Sequence, residues 1–306
     1  MTTKRDFLKL ADLSPLEARE VLALATRLKS EPKGHRTQLL AGRAVAIVLE
    51  KASTRTRVSF EVGCAQLGMH PVVLGIQGSQ LGRGEPIRDT ARVLPRYCDA
   101  IVFRTSATTR LHEMATASVP VVNALSDDGH PVQVLCDVFT VEEQVGAIAG
   151  KRIAFVGDCA SNMARSWLEA ASIFDFHLVL AGPRSHMLPL DEVVRAGSHV
   201  TLRHEPAGAL AGCDVVNTDV WTSMGQEAEA DARTGAFVGW MVDAELLKAA
   251  KEEAIVLHCL PAHRGEEIDD ASIEGPRSRV WDQAENRLHV QKALLVWLLG
   301  AKDRVV

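Results

Sequence analysis

A chain that alternates short apolar runs with helix-length amphipathic segments folds as α/β. This sequence predicts two doubly wound parallel-sheet domains with helices on both faces. Three observations carry that expectation. Continuous apolar runs at 43–49, 71–75, 100–103, 119–124, 152–156, 177–181, 213–217 and 254–260 read as strands covered on both faces. Segments of helical length at 55–67, 87–97, 131–146, 162–174, 243–251 and 285–299 separate them, so the connections are right-handed βαβ crossovers. The length of 306 residues suits two domains.

In chain order, the first helix opens on a capping box, Ser14-Pro15-Leu16-Glu17, with Pro at the first helical position. Leu16, Val21, Leu22, Leu24, Ala25 and Leu28 follow as its apolar stripe. The run 43–49 is the first strand, and the strand–helix rhythm then continues to the turn at Gly146–Gly150, where it restarts. That turn sets the expected boundary between domains 1–147 and 148–284. Residues 225–240 have poor periodicity and read as a long functional loop after a strand end.

Composition narrows the function classes. The chain is 47% hydrophobic and 24% charged, with 34 Lys+Arg against 39 Asp+Glu and a net charge of −5. Such a balance is that of a globular enzyme and excludes disorder, collagen and coiled coil. The absence of a Lys/Arg run, with aromatics at only 5%, argues against a nucleic-acid surface. Six dispersed cysteines without Cys-x-x-Cys spacing read as reduced thiols. Neither an apolar leader nor a run of about 20 apolar residues is visible, so the expected compartment is the cytoplasm, with no membrane contact.

Ligands of open α/β sheets bind at the carboxyl ends of the strands, so chemistry is sought just after each apolar run. After 43–49 comes Lys51-Ala52-Ser53-Thr54-Arg55-Thr56-Arg57. Hydroxyls, free backbone N–H groups and two guanidiniums at a helix start suit an anion such as phosphate, though a solvated helix cap would read similarly. After 100–103 comes Arg104-Thr105-Ser106; after 119–124, His130 precedes Pro131 and Gln133 and is placed to polarise a carbonyl. Gly157-Asp158-Cys159-Ala160-Ser161-Asn162 occupies the place of a dinucleotide fingerprint but lacks Gly-x-Gly-x-x-Gly, which argues against NAD or FAD. Asp219 follows another run and could hold an ammonium group. Cys259, between a strand and Pro261, could be a nucleophile or merely a small buried hydrophobe.

Taken in order, these segments resemble the aspartate/ornithine carbamoyltransferase family over nearly the whole chain. Ser-Thr-Arg-Thr-Arg, Phe-Arg-Thr and His-Pro-x-Gln are similar to its carbamoyl phosphate motifs. Asp-x-Trp-x-Ser-Met-Gly and His-Cys-Leu-Pro resemble the ornithine branch, and Trp281-Asp282-Gln283-Ala284-Glu285-Asn286-Arg287 completes the match. The resemblance implies that Ser53, Thr54, Arg55, Thr56, Arg57 and Arg104 hold the phosphate of carbamoyl phosphate. It also implies that Arg104, His130 and Thr56 polarise the carbonyl, that Gln133 contacts the amide, and that Arg287 joins the pocket. Gln80 would reach a neighbouring subunit's site, which implies a homotrimer with shared sites. Asn162, Asp219, Ser223 and Met224 would hold the α-groups of ornithine. Cys259 and Leu260 would face its δ-amine, beside the carbamoyl group. The C-terminal helix, 285–306, would cross back to the first domain.

The implied chemistry is nucleophilic acyl transfer by a neutral amine, driven by orientation and electrostatics and needing no metal or cofactor. Cys259 then positions substrate instead of attacking it, because carbamoyl phosphate is already activated. The Ser223-Met224-Gly225 loop would close over ornithine and exclude water. Two departures from the family pattern are Ser161 ahead of Asn162, where many members have two Asn, and Arg165, where His or Asn is common. The alternatives left open are a different amine, putrescine or N-acetylornithine, a catalytically silent binding paralogue, and a nucleotide-dependent oxidoreductase.

Overall fold

The computed structural model describes residues 4–32, 35–222 and 235–304. Its chain divides into two compact units, residues 1–136 with 285–306 and residues 137–284. The first division falls within α5 (Pro131–Val145) and the second within α10 (Val280–Leu298).

In the first unit, α1 (Pro15–Ser30) starts where the capping box places it. The Ser14 hydroxyl accepts from the Glu17 N–H, and the Glu17 carboxylate accepts from the Ser14 N–H at 2.9 Å. Arg5 also binds Glu17, and this pairing, with the Ser14 bonds, draws the Glu17 carboxyl down to about 2. Its buried face is Ala18, Val21, Leu22, Leu24, Ala25 and Leu28. Leu16 departs from the expected stripe and is 73% exposed. At ~100° per residue it lies about 200° around the helix from Ala18.

The sheet of this unit is parallel, in the order β2-β1-β3-β4: β1 (Ala44–Leu49), β2 (His70–Gly75), β3 (Ala100–Arg104) and β4 (Val121–Leu125). The central strands β1 and β3 are buried almost throughout, as their unbroken apolar runs require. Ala46, Val48, Ile101 and Phe103 pack one face against Ile87, Ala91, Leu111 and Met114 of α3 (Ile87–Val93) and α4 (Thr108–Met114). At the β4 edge, Phe7 donates to the Val121 carbonyl and its own carbonyl accepts from Asn123. The Asp6 carboxylate takes the Val121 N–H at 2.8 Å. The N-terminal segment thereby adds a short parallel bridge to that edge.

The second unit repeats the plan with five parallel strands in the order β7-β6-β5-β8-β9. They are β5 (Arg152–Val156), β6 (His177–Ala181), β7 (Val200–Arg203), β8 (Val215–Thr218) and β9 (Ile255–His258). One face packs Ala154, Val156, Val179, Val216 and Val256 against Trp221, Phe237 and Trp240. Between β5 and β6 runs α6 (Asn162–Phe174), and α7 (Leu190–Arg195) precedes β7. The expected helix at 243–251 is a single turn, α8 (Ala244–Leu247), capped by the Asp243 carboxylate at 2.8 Å, and the short α9 (Asp270–Glu274) follows β9. In each sheet the chain builds outward on one side, then returns to the other. The switch points are β1/β3 and β5/β8, the places where open α/β sheets bind ligands.

Candidate functional site

At the first switch point, the turn after β1 becomes the start of α2 (Thr54–Gln66). Ser53 caps that helix by accepting the Thr56 N–H. The cap leaves the N–H groups of the first turn directed at whatever anion approaches. Thr56 points inward and is fully buried, with Thr54 exposed and Arg55 half-buried. Arg287 of α10 donates to the Thr56 hydroxyl and to the Gln133 carbonyl oxygen, each at 2.9 Å. Both of these acceptors are neutral, and the guanidinium is buried.

Arg104, at the end of β3, is also buried. His130 stands immediately before α5, where Pro131 takes the first helical position and the His130 carbonyl accepts from Gln133 and Val134. Burial holds the His130 imidazole well below its ordinary range, and Arg287 and Arg104 push it further the same way. The group is therefore a neutral imidazole in a positive field. It can donate one N–H to a developing oxyanion without adding charge of its own. The expected pocket residues Thr56, Arg104, His130, Gln133 and Arg287 are thus linked by hydrogen bonds or by charge.

Two expected members stand apart. Arg57 is turned to the exposed side of α2, where its Nε pairs with Glu61 at 3.0 Å, one helical turn on. With Thr56 facing inward, Arg57 lies about 100° further around the helix and is held here by Glu61, away from the expected phosphate position. Gln80, itself exposed, begins a 3₁₀ turn, Gln80–Arg83, closed by Gly84 at φ 91°.

The second switch point gathers the motifs of the second unit. Gly157, directly after β5, has φ 109°, and a Cβ there would lie 3.1 Å from the Trp221 indole. Glycine is required for the Gly-Asp turn to pass against Trp221, which stacks on Phe237. Ser161 caps α6 by accepting the Ala164 N–H at 3.2 Å, and this places Asn162, partly exposed, at the first helical position. Arg165, one turn later, forms a two-pronged pair with Glu192 of α7, Nε to Oε2 being 2.8 Å. The departure at Arg165 therefore serves the α6–α7 contact.

Asp219 follows β8 and is partly exposed. Its carboxylate accepts from the Cys259 thiol at 3.0 Å and from the Val220 N–H at 2.8 Å. Removal from water raises its pKa; the nearby His258 and those two donors pull the other way. Beneath Cys259, the Leu260 N–H donates to His258 Nδ1 at 2.9 Å, so the ring proton sits on Nε2 and is given to Glu267 Oε1 at 2.9 Å. Glu267 also accepts the His263 N–H at 2.7 Å. His258 and Glu267 are wholly buried. They anchor the Cys259-Leu260 turn, in which Leu260 adopts φ 58° ahead of a cis Leu260–Pro261 bond. Nothing in the spacing assigned a role to Glu267; the His-Cys-Leu-Pro motif was the only available pointer to His258. Ser223 and Met224, the other expected ornithine ligands, lie outside the described residues.

Among the described residues, Asp219, His258 and Cys259 have ligand atoms within 4.8 Å of one another, as do His263, Glu266 and Glu267. His258 has both ring nitrogens engaged, so metal binding by the first group would require breaking one of those bonds. No described helix is long and apolar enough to cross a membrane.

Comparison with known proteins places both halves. The family description "aspartate/ornithine carbamoyltransferase, carbamoyl-P binding domain" matches residues 5–143. Its companion, "Asp/Orn binding domain", matches residues 149–298. The chain is 71% identical to the ornithine carbamoyltransferase of Sorangium cellulosum, over 98% of this chain and 99% of that one. Among solved structures it is similar to ornithine carbamoyltransferase from Pyrococcus furiosus, with 44% identity, a TM-score of 0.92, and 97% and 98% of the two chains covered. The enzyme from Thermus thermophilus superimposes with a TM-score of 0.89 at 39% identity, covering 97% of this chain and all of that one.

Proposed function

The chain belongs to the aspartate/ornithine carbamoyltransferase family, and from that premise we propose that it transfers the carbamoyl group of carbamoyl phosphate to L-ornithine, giving L-citrulline and phosphate. The observation that carries this reading is the neutral, buried His130 held in the field of Arg104 and Arg287 beside a capped helix start. A dianionic phosphate satisfies the charge and the free N–H groups of α2; a planar carbonyl beside it satisfies His130.

Thr56 accepts its hydrogen bond from Arg287, so its own proton is available to the carbamoyl oxygen together with Arg104 and His130. Arg287 also fixes the amide of Gln133, which is thereby oriented for the carbamoyl amide. Ser53, Thr54 and Arg55 complete the phosphate cradle. In the second unit, Asn162 and Asp219 hold the α-substituents of ornithine, with Ser223 and Met224 assigned alongside them. Cys259 and Leu260, braced by His258 and Glu267, orient the δ-amine.

The neutral δ-amine attacks the carbamoyl carbon, and a C–N bond forms as the C–O bond to phosphate breaks. The proton lost by nitrogen leaves with phosphate, so no net charge is created. Holding both reactants in register can supply roughly 7–11 kcal/mol of the barrier. No cofactor or metal enters these steps. Purified protein supplied with carbamoyl phosphate should form citrulline fastest from ornithine. Faster turnover of putrescine or N-acetylornithine would keep the family and overturn the substrate.

The proposal extends to a cytoplasmic homotrimer in which Gln80 serves a neighbouring subunit's site. It is supported by exposed apolar residues in the same unit as Gln80: Val58 and Val62 on α2, Ile76, Val93 and the 75%-exposed Tyr97. Light scattering of the purified protein should return three times the mass of the chain; a monomer mass would remove this part of the reading. Assay in both directions would decide between arginine synthesis and catabolic phosphorolysis of citrulline.

A further inference from the structure

Arg104 does not take its place from the sheet alone. The β3–β4 register shifts between Phe103 and Arg104, so that Phe103 lies opposite Asn123 but Arg104 opposite Leu125, and the last β3 residue sits at an irregularity on that side. On the other side stands Glu50, the residue that follows β1 and leads into the 51–57 turn. Its N–H donates to the Arg104 carbonyl at 2.9 Å. Its side chain, 7% exposed, accepts the Thr105 hydroxyl at 2.5 Å. Arg110 of α4 covers the same carboxylate, its Nε lying 3.0 and 3.1 Å from the two oxygens, with Nη2 on Oε1 as well. Thr105 in turn donates its N–H to Leu125 at the end of β4. One carboxylate therefore fastens the exits of β1 and β3.

A carboxylate is an odd strut three residues before an anion-binding turn, because its charge repels the dianion that the turn receives. Arg110 removes that objection. Its planar fork matches both oxygens and cancels the charge, leaving the geometry of the strut without its field.

We propose that Glu50 and Arg110 form a positioning pair for Arg104 and the 53–56 turn, Glu50 fixing the spacing of the two strand exits and Arg110 neutralising it. The inference rests on the reading of this pocket as a carbamoyl phosphate site. Neither residue touches the substrate in this scheme; both act through Arg104, Thr105 and the turn.

The test is steady-state kinetics of the wild-type protein, Arg110→Ala, Arg110→Gln, and Arg110→Ala combined with Glu50→Gln. KM for carbamoyl phosphate, KM for ornithine and inhibition by inorganic phosphate are measured, with melting temperature alongside. Exposing one carboxylate to a dianion in a partly screened site is expected to weaken phosphate-group binding about tenfold. Arg110→Ala should thus raise KM for carbamoyl phosphate and the phosphate inhibition constant together, by about that factor, while KM for ornithine stays within about twofold. Adding Glu50→Gln should recover at least about threefold of the loss, because the uncovered charge is then gone. Arg110→Gln, which keeps a donor to Glu50, carries the same test should the alanine variant not fold. Constants within about twofold of wild type, or no recovery in the double variant, would overturn the positioning pair and leave the pocket assignment standing. Wild-type protein that neither turns over carbamoyl phosphate nor responds to phosphate would overturn both.

Discussion

The two switch points solve the same topological problem with opposite chemistry. The first is built on charge that does not titrate: Arg104 and Arg287 are buried guanidiniums, and the one titratable group among them, His130, is held neutral. The second is built on side chains that hydrogen-bond one another, Asp219 with Cys259 above and His258 with Glu267 below. A site for a permanent dianion gains from fixed positive charge, whereas a site for an amine that must be neutral to react gains from acceptors and thiols nearby. The contrast teaches that the two halves should fail differently.

The largest failure is expected where a buried pair is broken. His258→Ala leaves the Glu267 carboxylate buried with the His263 N–H as its remaining bond of those described, and should cost about 3–5 kcal/mol. Urea unfolding would read this directly; a loss under about 1 kcal/mol would show that the His258–Glu267 pair does not hold the fold together. Arg104→Ala should lower kcat by about 10²–10³-fold, the scale of one lost oxyanion donor, with little change in unfolding. A proportionate rise in KM for both substrates would instead place Arg104 outside the transition state.

Asp219→Asn should raise KM for ornithine by roughly tenfold or more, the value of a charged hydrogen bond, without altering KM for carbamoyl phosphate. Its acid limb has a definite sign. Because burial raises the Asp219 pKa, the carboxylate is lost as pH falls through a value above its ordinary one, so ornithine binding weakens earlier in acid than an unperturbed Asp would allow. A KM for ornithine that is flat down to about pH 4 would contradict this. The smallest effect belongs to Arg57→Ala. An exposed i,i+4 pair is worth about 0.3–0.5 kcal/mol, so carbamoyl phosphate affinity should stay within about threefold. A tenfold loss would restore Arg57 to the phosphate site.

What the sequence made legible follows from how local each signal is. The central strands β1, β3 and β5 were visible as apolar runs, because burial on both faces leaves little room for polar side chains between their ends. The edge strand β7 was missed: Val200-Thr201-Leu202-Arg203 is short, half-exposed and carries no such run. The helix expected at 87–97 stops at Val93, where Pro95 turns the chain into a 3₁₀ segment. The helix expected from 285 starts at Val280. In the site, Thr56, Arg104, His130 and Asp219 were legible because residue type and strand-end position coincide. Glu50, Arg110 and Glu267 were not. Their roles arise from pairing across the fold, Glu50 with a residue sixty positions away, and no period in the chain announces such a partner.

The bridge from Phe7 to β4 has a consequence for how the first unit comes into being. A sheet edge with open N–H and C=O groups invites pairing with another chain. Here the segment that closes the edge is made more than a hundred residues before the edge itself. During synthesis the cover is therefore already outside the ribosome when Val121–Leu125 emerges, and the strand need never wait uncovered. Deleting the residues up to Leu8 should leave the chain able to build β1–β3 and yet prone to aggregate as soon as β4 forms, a defect of birth more than of the finished molecule.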